Sequence, residues 1–155
     1  MGQQQLLLLV LATVIVGLAT VAGIQAFDEG QTQATQDALV QRAINIGNDV
    51  LAAHNEPSQF GGTNLNGSPS TSDVATAAGF DSDTGISADG AGDNALCAIN
   101  SAPGDGTAEI ICSTDPSNSD GTSTAGSNDN YQSVTVTVDA ATSDVSASTI
   151  NGSSV

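Results

Sequence analysis

The sequence predicts an α+β protein: a long N-terminal membrane-spanning helix followed by a small antiparallel β-rich head stapled by a disulfide. Three observations carry this expectation. The first 27 residues contain no charged side chain. A helix-periodic stretch of mixed polarity follows them and runs to Pro57. Beyond it, short alternating runs are separated by Gly, Ser, Asn and Asp, with Cys97 and Cys112 as the only cysteines. The chain therefore divides into 1–27, an uncharged segment and core helix; 28–56, an amphipathic continuation; and 57–155, an acidic exported head.

Residues 6–24 read LLLLVLATVIVGLATVAGI. At 1.5 Å per residue the stretch 6–27 is about 33 Å long, enough to cross a hydrocarbon core. A secretory signal peptide is the rival reading. It fits less well, because residues 1–5 carry no Lys or Arg and the apolar run exceeds the usual signal length. Ala19 and Gly23, and Ala22 and Ala26, recur four apart, and Gly17 also thins the helix. Such spacing permits close helix–helix approach, although Ala and Gly are common in spanning helices anyway.

Asp28 and Glu29 mark the exit into water. From there Leu39, Ala43, Ile46 and Val50 recur at spacings of three and four, with Val40, Ile44, Gly47 and Leu51 as the neighbouring line. They form an apolar stripe bordered by Gln36, Asp37, Gln41, Arg42, Asn45, Asn48 and Asp49. Gly30 is the expected soft point of the rod, and Pro57 ends it.

Residues 58–94 read mainly as turn and loop. A hairpin is predicted next: ALCAI (95–99), a turn over 102–106, then TAEIIC (107–112). Cys97 and Cys112 fall on opposite arms, so a disulfide joins them in an oxidising compartment. After a polar stretch, 114–130, the run YQSVTVTVDA (131–140) alternates Val134, Val136 and Val138 with Ser133, Thr135 and Thr137. That is the pattern of a half-buried strand. Residues 143–155 leave room for one more strand, with fraying at the end.

The formal charge is −16, from 17 acids against the single base Arg42. This repels nucleic acid and anionic lipid headgroups, so no nucleic-acid contact is expected. The excess of Asp suits a protein working in strong brine; an ordinary acidic secreted protein is the alternative. No catalytic constellation is legible, no cofactor is implied and no metal site is assigned. His54, the only histidine, is expected to interact with the C-terminal end of the long helix. Asp81, Asp83, Asp89, Asp93 and Asn94 cluster among glycines, but their spacing matches no standard calcium loop. Asn66-Gly67-Ser68 and Asn151-Gly152-Ser153 match the N-glycosylation acceptor pattern.

The start, MGQQQLLLLVLATVIVGLATVAGIQAF, resembles the N-terminal region of type IV pilins and related archaeal-type pilins. The resemblance implies a leader ending in glycine that a prepilin peptidase removes. Gly2 then precedes the cut and Gln3 is the new N-terminus; alternatively Met1 is itself the first mature residue. Where bacterial members carry glutamate five residues into the mature chain, this sequence has Leu7 or Gln5, according to the N-terminus chosen. The resemblance covers about 55 residues. It implies a lollipop-shaped pilin subunit that waits in the inner or cytoplasmic membrane. The assembly machinery then packs it with copies of itself into an extracellular, cell-surface filament. A pseudopilin-like component of a secretion or DNA-uptake apparatus, and a membrane-anchored surface protein that never polymerises, are the competing expectations.

Overall fold

The computed structural model describes residues 2–115, 121–122, 131–151 and 153–154. Met1 and most of the polar stretch 114–130 lie outside the described residues. The chain forms two compact units, Met1–Ala34 and Thr35–Val155. One helix, α1 (Gly2–Asn55), supplies all of the described first unit and opens the second. Helical hydrogen bonding continues through Gly30, so the expected soft point is not a break.

In the second unit the stripe read from the sequence is the buried face of α1. Leu39, Ala43, Ile46 and Val50 are fully buried, while Asp37, Gln41, Asn45, Asn48 and Asp49 face water. The 3.6-residue period places the first set on one side and the second opposite it. A six-stranded sheet follows, with all neighbours antiparallel and in chain order: β1 (Ile86–Ser87), β2 (Leu96–Ser101), β3 (Thr107–Ser113), β4 (Ser133–Asp139), β5 (Asp144–Ile150) and β6 (Ser153–Ser154). The β2–β3 and β4–β5 reversals, 102–106 and 140–143, are short turns, whereas the longer stretch 114–132 joins β3 to β4. In the β2–β3 turn Gly104 and Gly106 take φ of 89° and 90°. Asp105 there accepts from both the hydroxyl and the amide of Thr107, and these bonds hold its carboxyl below the usual carboxylate range.

Register explains the core. Ile86, Cys97, Cys112, Val134 and Ile150 form one row across five strands. Ile99, Ile110, Val136 and Ala147 form the next, and Ala108, Val138 and Val145 a third. Because side chains alternate at period two, all three rows share one face. These residues and the α1 stripe make one hydrophobic cluster. The opposite face differs from expectation. Ala98, Ile111, Ser133 and Thr135 are buried too, so β4 is half-buried by pattern and nearly fully buried in fact. Ser148 is the extra residue at a bulge in β5, and its hydroxyl donates to the Thr135 carbonyl at 3.2 Å.

The segment read as loop between Pro57 and Asn94 holds more structure than expected. A 7-residue helix, α2 (Thr71–Ala77), buries Val74 and Ala75. Its N-cap is Ser70, whose hydroxyl accepts from the Asp73 amide at 3.1 Å and donates to the Asp73 carboxylate at 2.7 Å. The hydroxyl thus caps the helix, and the Asp73 carboxylate holds the hydroxyl in place rather than bonding the Ser70 backbone amide as in a capping box. Thr71 then bonds the Asp83 carboxylate and ties α2 to the approach to β1.

Gly47 sets how closely α1 lies on the sheet. A β-carbon there would fall 2.6 Å from Val145 Cγ1 and 3.2 Å from Val138 Cγ2. Overpacking of this kind costs about 1–3 kcal/mol. Alanine's higher helix propensity returns about 1 kcal/mol. Gly47→Ala is therefore expected to lower stability by about 1 kcal/mol, and Gly47→Val by more. Gly30→Ala, where a β-carbon meets nothing within 4 Å, should not destabilise. Chemical denaturation of the three variants side by side checks the contrast.

Candidate membrane and assembly segment

The candidate functional surface is the first half of α1. Its most apolar 18-residue window has a mean hydropathy of 2.7, and none of that window is buried within the chain. Leu7 is 70% exposed, Leu18 68% and Phe27 80%. Every large apolar side chain from Leu6 to Phe27 is thus more than half exposed. The polar atoms of this stretch are handled locally. Thr13 and Thr20 donate their hydroxyls to the carbonyls of Val10 and Gly17, each at 2.8 Å. An α-helix satisfies its own backbone, and these two bonds satisfy its hydroxyls, so the segment is compatible with lipid.

The small residues remain open. A β-carbon at Gly17 or Gly23 would meet nothing within 4 Å. Leu9, Ala12, Thr13, Val16 and Gly17 line a shallow, mostly apolar dent. Gly2 and Gln3, the processing residues implied by the resemblance, stand exposed in the first turn of α1.

The other residues singled out in the sequence have structural places. Cys97 and Cys112 are directly opposite in the β2–β3 pair, fully buried and joined as a disulfide. Each sulfur therefore faces the core beneath the α1 stripe. Gly121 lies against the same stretch of β2: a β-carbon on it would come 2.8 Å from the Cys97 carbonyl carbon. His54 stands in the last turn of α1, and its Nδ1 accepts from the Leu65 amide at 3.2 Å. This bond closes the loop that reverses the chain after Asn55. Gly62 is required in that loop, since a β-carbon there would sit 2.0 Å from the Glu56 carbonyl oxygen.

Arg42, the sole base, donates from Nε to the Ser87 carbonyl at 2.9 Å and links α1 to β1. The Asp81–Asn94 region does not converge: Asp83 bonds Thr71 and Asp89 accepts from Ser87 at 2.7 Å. Among the described residues no group of three or more His, Cys, Asp or Glu is assembled for a metal. The described carboxylates lie at the surface or partly exposed, with Asp115 the buried exception.

An apolar α-helical segment of membrane-spanning length, joined to a disulfide-bonded antiparallel sheet domain, is the class of protein these features define. No protein-family model, curated protein or solved structure matches the chain.

Proposed function

We propose that the chain is a structural subunit of an extracellular, type IV pilus-like filament and polymerises through the first half of α1. The observation that carries this reading is the run of large, exposed apolar side chains on residues 6–27. Such a surface needs cover in every state of the protein. Lipid covers it before assembly, and equivalent helices of other copies cover it afterwards. Both settings are apolar, so moving from one to the other leaves no exposed hydrocarbon.

Two further features support the reading. α1 runs through residues 24–27 without interruption, and its later turns belong to the core of the sheet domain. A cleaved signal peptide has no need of that continuity. The disulfide suits an exported domain. On this reading the partners are copies of the chain, a prepilin peptidase acting between Gly2 and Gln3, and the assembly machinery. Electron microscopy of sheared surface filaments, with their subunits identified by mass spectrometry, tests the proposal. Recovery of the chain only as a detergent-soluble monomer would favour a simple anchor, and recovery only with a secretion or uptake apparatus would favour a pseudopilin.

The acidic surface adds an expectation about salt. Twelve acids and no base occur in residues 57–155, and polymerisation crowds these domains together. A carboxylate pair about 8 Å apart costs roughly 0.5 kcal/mol in water without screening. At molar salt the Debye length falls to about 3 Å and most of that cost disappears. Filaments dialysed to low salt with EDTA should therefore loosen at the sheet domains before their helices separate. Unchanged fibres in electron micrographs and unchanged circular dichroism would rule this out.

A further inference from the structure

The asparagines of the two acceptor patterns stand in different settings. Asn66 lies in the short 3-10 turn Leu65–Gly67 and is exposed, as are Gly67 and Ser68. Its side-chain amide makes no hydrogen bond among the described residues, while its backbone amide is held by the Asn64 side chain at 3.0 Å. Facing it is the β2–β3 turn, where Gly106 brings no side chain: a β-carbon there would sit 2.9 Å from Asn66 Oδ1. Ser68 has only a long 3.4 Å bond, to the Pro103 carbonyl. Asn151 is placed differently. It is part-buried at φ 48°, and its Oδ1 accepts from the Ser133 amide at 3.0 Å while its backbone N–H donates to the Ser133 carbonyl at 2.8 Å. Its side-chain oxygen thus ties the end of β5 to the start of β4.

From this exposed acceptor we propose that Asn66, and not Asn151, carries an N-linked oligosaccharide. The donor is a lipid-linked oligosaccharide phosphate or pyrophosphate, met on the outer side of the membrane. Asn66 Nδ2 forms a bond to C1 of the first sugar and the C1–O bond to phosphate breaks. The lipid phosphate leaves with the electron pair, and the amide proton passes to a base of the transferase. A bulky, hydrated group is tolerated at such a turn because Asn66, Gly67 and Ser68 are all exposed and the turn beside them presents Gly104 and Gly106, which carry no side chain. At Asn151 the Oδ1 bond to the Ser133 amide fixes a part-buried side chain, so Nδ2 is not free to turn towards a transferase. The proposal rests on the export contained in the functional reading above.

The chain purified from its native cells and digested before aspartate, without reduction, tests both at once. Asn66 falls in the fragment 49–72 and Asn151 in 144–155, while the disulfide links 93–104 to 105–114. The expected result is a sugar mass increment on 49–72 and none on 144–155. Asn66→Gln and Ser68→Ala should each remove the increment completely, and Asn151→Gln should leave it. A bare 49–72 fragment alongside the disulfide-linked pair would overturn the glycosylation and leave export standing. A bare fragment with two free thiols would overturn both. An increment that survives Asn66→Gln, or one found on 144–155 alone, would also overturn the assignment.

Discussion

Val14→Asp is expected to abolish filaments and to strip the chain from the membrane. Val14 lies near the middle of the charge-free run and is 53% exposed, so a carboxylate there has no charged side chain within the run to pair with. An aspartate at the centre of a spanning helix costs about 2.5–3.5 kcal/mol on insertion scales. In an assembled bundle the same charge lies between apolar helices, where an unpaired carboxylate costs several kcal/mol. The two settings of the helix are thus disfavoured together. Val14→Leu is the matched control and should behave as wild type. Membrane fractionation reads the first effect and the yield of sheared filaments the second. Normal yield from the aspartate variant would remove the basis of the proposed assembly.

Removing the disulfide as Cys97→Ala with Cys112→Ala is expected to destabilise the sheet domain by about 3 kcal/mol, from the loop-closure entropy of a 15-residue separation. The loss matters because the domain is poorly supplied with large side chains. Aromatic residues are 3% of the chain and there is no Trp, and the core is Val, Ile, Leu and Ala around the two sulfurs. Small cores of this kind leave few kcal/mol in reserve. The variant's sheet domain should be cleaved by a protease at denaturant concentrations the wild type withstands. Wild type treated with a reductant should match it, and the variant itself should no longer respond to reductant. Equal protease resistance of the two chains would show that the meander and α1 suffice without the bond.

Much of the architecture was legible in the residues. The charge-free run and its length, the stripe at Leu39, Ala43, Ile46 and Val50, the hairpin around the turn at 102–106, and the alternation at 133–138 were each readable from local periodicity. So was the disulfide, since two cysteines on opposite arms of one hairpin have little choice of partner. The helix α2 was missed, although Ser70 and Asp73 carry its capping signal. A 7-residue helix has too few turns for periodicity to rise above a Ser- and Thr-rich background. Strand β1 was missed for the same reason, being only Ile86–Ser87. The use of His54 as an acceptor for Leu65 was not legible either, because it joins residues 11 apart in sequence through a chain reversal.

What the sequence determined by itself is therefore whatever depends on short-range order: which segment is apolar enough for lipid, where α1 ends before Pro57, and which faces of α1 and β4 are apolar. Tertiary structure alone decided the rest. It placed Gly47 beneath Val145 and Val138, and buried Thr135 on the face that alternation had assigned to water. It also separated two identical acceptor patterns, leaving Asn66 open and engaging Asn151 with Ser133. The reason is physical. Periodicity reports the chain's own repeat, whereas burial and side-chain pairing depend on which distant segment arrives to cover a surface, and nothing in the local repeat records that.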